Sequence, residues 1–402
     1  MDAWLEIVGI GEDGLAGLSP AAHAAIARAR VLVGGKRHLA LVPEGQQERW
    51  AWPSPLEAGI EKLLGLRGTP VCVLASGDPM WFGIGATLAR RLAKDEYRIH
   101  PAPSAFVLAA ARMGWPLQDV ATLSVHGRPI EALQTHLQPG AKLLVLSDSG
   151  DTPAAIARML CARGYSASAV TVLEHMGGEC ESRLDARAEI FPPERRRDLN
   201  VVAIDCVADA MAPLLPVVAG LPDDAYVHDG QLTKRDVRAA TLARLAPYPG
   251  ALLWDVGAGC GSIGIEWMRA HPACRAIAIE RDDARREMIV TNAKALGVPG
   301  LRIVAGAAPA ALDGLEPPDA IFVGGGASET GMLEKCWAAL RPGGVLVANA
   351  VTLQSEAVLI AARETYDGEL VRISVAHASP VGKFDAWRTA MPVTTLTARK
   401  PA

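Results

Sequence analysis

Short apolar runs alternate with alanine- and leucine-rich stretches along the first half of the chain. Leu5 to Val8, Val31 to Val33, Val71 to Ala75, Leu143 to Leu146, Val170 to Leu173 and Val201 to Ile204 are short, nearly continuous apolar segments, the pattern of strands covered on both faces. Between them, Ala21 to Arg30, Gly83 to Lys94, Ala105 to Met113 and Pro153 to Arg163 repeat apolar residues at helical spacing. The alternation predicts a parallel α/β sheet with helices on its faces. Pro213, Pro216, Gly220 and Pro222 then crowd the apolar stretch from Met211 to Asp224. Proline continues neither a ladder nor a helix, so residues 211–222 read as a semi-rigid linker between domains 1–210 and 223–402.

The second half repeats the alternation with different spacing and no sequence repeat of the first, which predicts a second, different α/β fold. Its strands are Leu252 to Val256, Ala276 to Glu280, Leu301 to Ala305, Ala320 to Val323 and Gly344 to Ala348. Leu370 to Ala376 and Pro392 to Ala398 have no convincing helix between them, so a terminal antiparallel hairpin on a mostly parallel sheet is expected. That ending fits a class I methyltransferase sheet and not a dehydrogenase sheet.

The run from Leu252 to Gly264 carries the most chemistry. A strand with Asp255 enters Gly257-Ala258-Gly259-Cys260-Gly261 and then a helix. Without Cβ atoms the loop backbone can pass close under a ligand. The glycines fall as G-x-G-x-G, and Ser262 takes the place of the third glycine of the dinucleotide fingerprint, which favours S-adenosylmethionine over NAD. Glu280 follows at the end of its strand, about 20 residues on, where an acidic side chain holds ribose hydroxyls.

At 402 residues the chain exceeds what one core usually covers, so two domains are expected. A net charge of −4 argues against a general nucleic-acid or membrane-surface binder. Arg195-Arg196-Arg197 lies between Glu194 and Asp198 and reads as a solvated loop. The cysteines are odd in number, 7, and scattered without a C-x-x-C pair, so neither a disulfide framework nor a zinc site is indicated and a reduced, cytoplasmic protein is expected. Glu6, Glu12 and Asp13 interrupt the N-terminal apolar run, which argues against a signal peptide, and no run approaches a membrane span.

Three elements of the first half belong together. Ile7 to Gly14 is a strand ending in a glycine turn with Gly11. Leu74 to Gly83 carries Gly77, Asp78 and Trp81 after a strand. Pro101 to Ala105 opens a helix, with Ser104 either its N-cap or a ligand contact. In this order they resemble the tetrapyrrole methylase family, or class III methyltransferases, over roughly the first 205 residues. The resemblance implies a two-lobed fold with S-adenosylmethionine in a cleft between two α/β lobes, held by Gly11, Gly77, Asp78, Trp81, Ser104 and Ala105. Glu12 departs from it, since many members have proline there. His126-Gly127-Arg128 fits the branch that acts late in corrin formation, or is a turn with a surface arginine.

Ahead of the second glycine loop, Thr233 reads as a helix N-cap with Asp236 at the third helical position. Lys234, Arg235 and Arg238 then lie near the cofactor loop, where they could meet an anionic substrate or form an ordinary charged face. This segment resembles the precorrin decarboxylating methyltransferase family, which favours a site and adds Thr233 to the cofactor contacts. Ala307 and Ala308 are candidates to flank adenine, and Gly324, ending a strand, to lie over the transferable methyl group. No N-P-P-Y or D-P-P-Y motif for gripping an amine follows that strand, which points to a carbon nucleophile.

The fusion of these two domains resembles the bifunctional precorrin methyltransferases of cobalamin biosynthesis. The resemblance implies two S-adenosylmethionine sites, methylation of carbon 5 by the first domain, and methylation of carbon 15 with loss of the ring C acetate carboxyl by the second. It implies an anionic precorrin substrate, a homo-oligomer, and no metal, nucleic acid or membrane partner. His126, His228 and Asp229 are the candidates for acid or base. The alternatives are a methyltransferase acting on RNA or another small molecule, for which a basic groove is missing, and an inactive scaffold, for which the cofactor loops are too well kept.

Overall fold

Apolar runs with no polar face become the inner strands of three sheets in the computed structural model, which describes residues 3–402. The chain divides into two units: Met1–Arg128 with Pro139–Pro213, and Pro129–Gln138 with Leu214–Ala402.

The first unit opens with β1 (Leu5–Ile10), β2 (Val31–Gly34), β3 (Glu48–Ala51), β4 (Val71–Ser76) and β5 (Tyr97–His100), interleaved with α1 (Pro20–Arg28), α2 (Lys36–Ala40), α3 (Leu56–Leu64) and α4 (Ile84–Leu88). The sheet order is β3-β2-β4-β1-β5 and every pair is parallel, as the alternation predicts. The helix expected from Gly83 to Lys94 is shorter, because the chain leaves α4 in turns that still bury Leu92 and let Arg91 pair with Glu57 at 2.6 Å.

After α5 (Ala105–Met113) come β6 (Ala121–Ser124), β7 (Lys142–Leu146), α6 (Thr152–Ala162), β8 (Ala169–Glu174), β9 (Ser182–Arg187) and β10 (Asn200–Asp205). This second sheet, β6-β7-β10-β8-β9, is parallel only at β6–β7. The expectation of one parallel pattern through the first half is therefore corrected. Parallel neighbours need a long crossover, and the chain from β8 through β9 to β10 has no helix longer than a 3₁₀ turn. The strand β9 was hidden in the sequence because Ser182, Arg183, Asp185 and Arg187 give it no apolar run.

The second unit holds α7 (Arg235–Leu245), β11 (Leu252–Val256), α8 (Ser262–Ala270), β12 (Arg275–Glu280), α9 (Asp283–Ala295), β13 (Arg302–Ala305), β14 (Ala320–Val323), α10 (Met332–Ala339), β15 (Val345–Ala350), α11 (Leu353–Thr365), β16 (Glu369–Ile373), β17 (Ala376–Val381), β18 (Phe384–Thr389) and β19 (Val393–Arg399). Its seven-stranded sheet runs β13-β12-β11-β14-β15-β19-β16. Strands β11 to β15 are parallel, and β19 lies antiparallel between β15 and β16. The antiparallel ending agrees with the sequence pattern, with a separate ribbon, β17–β18, inserted between its two strands.

Every residue of β11 is buried because the sheet is covered on both faces. Leu253, Ala278 and Phe322 pack into one core layer and Trp254, Ile277 and Ile321 into the other. The proline-rich stretch read as a linker is partly built into this unit: Leu215 and Leu221 belong to its core, and the Glu266 carboxylate accepts from the Gly220 and Leu221 amides at 2.6 and 3.1 Å.

Candidate functional site

In an open α/β sheet, ligands bind beyond the carboxyl ends of the strands where the strand order reverses. In the second unit that point is β11, with β12 on one side and β14 on the other. A cavity of about 1110 Å³ opens there.

The loop after β11 is shaped from three directions. The Gly257 and Ala258 amides donate to the Ile279 carbonyl at 3.0 and 3.2 Å. The Gly259 amide donates to Glu280 Oε2 at 2.8 Å, while Glu280 Oε1 accepts from the Asp282 amide at 3.0 Å. Asp255 Oδ2 accepts from the Gly264 amide at 2.8 Å and so ties the strand to the first turn of α8. Gly257 adopts φ +71°, and a Cβ there would stand 3.3 Å from the Gly325 backbone, so the loops after β11 and β14 meet across a gap that only glycine leaves open.

Asp255 is fully buried, and burial, reinforced by the nearby Glu280 charge, pushes its carboxyl up to about 7. Its Oδ1 has no protein partner although Asp255 lines the cavity. A buried polar atom without a partner is costly. Together with the glycine cradle it fits a ligand that brings a polar group, as the amino-acid end of S-adenosylmethionine does.

Of the residues singled out in the sequence, Thr233, Lys234, Arg235, Asp255, Gly257, Gly259 and Gly324 are brought together around this cavity. Glu280, Gly261, Ala307 and Ala308 do not line it, and Glu280 acts on the loop through the two amides it accepts. The helix cap is corrected by one residue: α7 starts at Arg235, Lys234 is its N-cap without a side-chain hydrogen bond, and Asp236 is second in the helix.

Arg238 is the clear error among the proposed substrate contacts. It is 0% exposed, with Nε 2.6 Å from Glu266 Oε1, Nη1 3.1 Å from Asp223, and its guanidinium 4.9 Å from the Tyr226 ring centroid. Among the lining residues the sequence did not single out are Arg285, which pairs with Asp229 at 2.8 Å, and Asn349. The Asn349 amide is fixed between Thr241 Oγ1 at 3.0 Å and Thr395 Oγ1 at 2.8 Å.

The acid and base candidates fare poorly. His228 Nδ1 accepts from the Gly230 amide at 2.9 Å within its own turn. The Gln231 amide and, more weakly, Arg285 hold the Asp229 carboxyl below its usual range, so it keeps its charge. His126 is an exposed side chain 3.4 Å from Asp148.

In the first unit the loops after β1, β4 and β5 converge. The Gly77 amide donates to the Ile10 carbonyl at 3.1 Å and the Ala102 amide to the Gly77 carbonyl at 3.2 Å. A Cβ on Gly9 would fall 1.7 Å from the Gly77 oxygen, so the strand ends touch only because Gly9 has none. A narrow cleft of about 90 Å³ follows, lined by Gly11, Gly77 and Ala105 among the expected residues. Asp78 accepts from the Met80 amide at 2.8 Å, and Trp81 packs on Phe106 with centroids 5.5 Å apart. Ser104 is a helix cap: its hydroxyl accepts from the Val107 amide at 3.2 Å. Neither Asp78, Trp81 nor Ser104 lines the cleft, whereas Glu12, Arg37, Ser76 and His175 do.

Comparison with known proteins assigns the two halves separately. Residues 5–189 match the family described as tetrapyrrole (corrin/porphyrin) methylases, and residues 224–400 match the precorrin methyltransferase domain. A protein of a Sinorhizobium species named precorrin-6Y C(5,15)-methyltransferase [decarboxylating] is 50% identical, with 97% of this chain and 95% of that one covered. Two shorter proteins of Salmonella typhimurium each match less than half of this chain. A cobalt-precorrin-7 C(5)-methyltransferase is 35% identical over 44% of this chain and 87% of its own length. A cobalt-precorrin-6B C(15)-methyltransferase (decarboxylating) is 30% identical over 42% of this chain and 89% of its own.

Proposed function

Because this chain belongs to the precorrin-6Y C(5,15)-methyltransferase [decarboxylating] family, we propose that it divides that family's work between two S-adenosylmethionine sites, one in each unit. It is an S-adenosylmethionine-dependent methyltransferase of cobalamin biosynthesis with decarboxylase activity. The division assigns carbon 5 to the first unit, and carbon 15 with removal of the ring C acetate carboxyl to the second. Two single-activity relatives, each matching less than half of the chain, support separable activities.

The observation that carries the reading is the cavity at the β11 switch point, whose lining joins a glycine cradle and the buried Asp255 to Lys234, Arg235 and Arg285, with Asp223 and Asp236 beside them. When bound, S-adenosylmethionine supplies an electrophilic methyl group. The chain's own contribution is to bind and orient: the loop glycines let the cofactor approach closely, and Lys234, Arg235 and Arg285 attract the carboxylates of a precorrin. In the decarboxylation the bond to the carboxylate carbon breaks, carbon dioxide leaves, its bonding pair passes into the conjugated ring, and a proton from water then completes the methyl group, so the chain's part is to position the acetate.

The test is calorimetry on the full chain. Two cofactor equivalents per chain are expected, and a stoichiometry of one rejects the two-site reading. Glu280→Ala should weaken only the second unit's site, by roughly 1.5–3 kcal/mol, since a charged acceptor then no longer shapes the loop through Gly259. Equal affinity in that variant would remove Glu280 from the site.

The same reading takes the protein as a cytoplasmic homo-oligomer that binds neither nucleic acid nor membrane. Its net charge of −4 supports the partner assignment. Among the described residues no helix is long and apolar enough to cross a membrane. Phe384 and Trp387 on the β17–β18 ribbon, 81% and 76% exposed, support self-association. Sedimentation of the purified protein tests it, and a monomer at micromolar concentration rejects it.

A further inference from the structure

The cleft of the first unit gathers polar side chains that positioning alone leaves without a role. Glu12, just past β1, contacts His175 Nδ1 at 2.8 Å with one carboxylate oxygen and the Arg37 guanidinium with the other. Arg37 and His38 reach the Ser76 hydroxyl at 2.9 and 2.8 Å. Glu12, Arg37, Ser76 and His175 share the cleft with Gly11 and Gly77.

His175 is held in an unusual way. Its φ is +48°, a left-handed conformation that is strained for a non-glycine residue and persists where the surroundings over-determine it. Its amide donates to the Leu199 carbonyl at 3.1 Å and its carbonyl accepts from the Gly178 amide at 3.0 Å. Both sides of the residue are pinned while the ring meets Glu12.

An ionised carboxylate only accepts, so the proton between the two groups sits on Nδ1 and a neutral ring presents Nε2 as a bare lone pair. Glu12 does stay ionised: burial opposes its charge, but the His175 hydrogen bond and the Arg37 charge hold its carboxyl below the usual range. The titratable groups of the same network and of the flanking chain do not compete. Burial, with help from Arg37, pushes His38 down to about 4 and keeps it neutral. Glu174 is engaged by Arg196 and Ser182, and Glu181 by Arg112 and the Gly177 amide.

We propose that His175 Nε2 is the base that accepts the proton released by the first unit's methylation, with Glu12 as its positioning carboxylate. This rests on the reading of that unit as a methylation site. In the reaction a π pair of the macrocycle forms the new carbon–carbon bond while the methyl–sulfur bond breaks and leaves its pair on sulfur. The resulting cation loses a proton from the ring system to Nε2, and the bonding pair so freed returns to the π system. The imidazolium is stabilised by Glu12 until it releases the proton to water.

The first readout needs neither substrate nor cofactor. Nitrogen NMR of the full chain with labelled histidine is expected to show His175 with a protonated Nδ1 and a bare Nε2, a preference that Glu12→Ala should lose. With a precorrin-6 substrate and labelled methyl donor, His175→Gln should lower kcat for carbon 5 methylation by about 100-fold or more, with KM near wild type. Carbon 15 methylation and carbon dioxide release in the same molecule should continue at the wild-type rate. In Glu12→Gln the acid limb of the carbon 5 pH profile should move to lower pH, and added imidazole should partly rescue His175→Ala.

Two results overturn the proposal: a bare Nδ1 in the wild-type protein, or wild-type kcat for carbon 5 in a folded His175→Gln. If the wild-type protein adds only one methyl group, the assignment of the first unit falls and the proposal with it, an outcome distinct from a silent His175→Gln.

Discussion

Gly257→Arg is expected to abolish carbon 15 methylation and carbon dioxide release together while carbon 5 methylation proceeds. The backbone at residue 257 has φ +71°, and even a Cβ would sit 3.3 Å from both the amide nitrogen and the carbonyl oxygen of Gly325. A long side chain therefore fills the cradle between the loops after β11 and β14, and it adds the strain of a left-handed non-glycine residue. The first unit's cleft is built from β1, β4 and other elements of its own unit, so its geometry is untouched. Asp78→Ala is the converse. It removes the acceptor of the Met80 amide beside Gly77 and should reduce carbon 5 methylation alone. Product mass with labelled methyl donor and a precorrin-6 substrate separates the outcomes. Normal carbon dioxide release by the Gly257 variant would place decarboxylation outside the second unit.

What the sequence could reveal about these sites depended on how far apart the interacting residues lie along the chain. Asp255, Gly257 and Gly259 sit within five positions of each other, so one strand and one turn disclose them, and all three line the cavity. Glu280 is legible for the same reason, since the next parallel strand ends beside the first, although the structure gives it two loop amides as partners. The pair Glu12–His175 is 163 residues apart and meets only after two sheets have formed. Neither residue stands in a patterned setting, and Glu12 was visible only as a break in the N-terminal apolar run and a departure from proline. The polar strand β9 was missed because a strand paired on one side by β8, with alternating exposure, needs no apolar run. Arg238 failed in the opposite direction: a cation in a basic cluster looks solvent-facing until its partners are known.

Those partners make Arg238→Met the substitution with the largest expected cost in stability. Its guanidinium is bonded to Glu266 and Asp223 and to the carbonyls of Leu221 and Thr233, so it fixes the segment entering the second unit against α8. Glu266 in turn accepts from the Gly220 and Leu221 amides and from the Tyr226 hydroxyl at 2.8 Å. Removing one member of a buried pair leaves the other charge without compensation, which costs about 3–5 kcal/mol, whereas a surface pair is worth ~1 kcal/mol or less. The second unit should therefore unfold at markedly lower denaturant concentration in Arg238→Met, with the first unit's transition unmoved. Replacing both partners, as Arg238→Met with Glu266→Gln, should recover part of that loss, because the remaining amide oxygen still accepts while no lone charge is left inside. Were Arg238 a substrate contact, the opposite pattern would hold: unchanged unfolding and a raised KM for the precorrin. A denaturant melt beside a KM measurement on the same variant decides between a cation that recognises the substrate and one that holds the wall of the site in place.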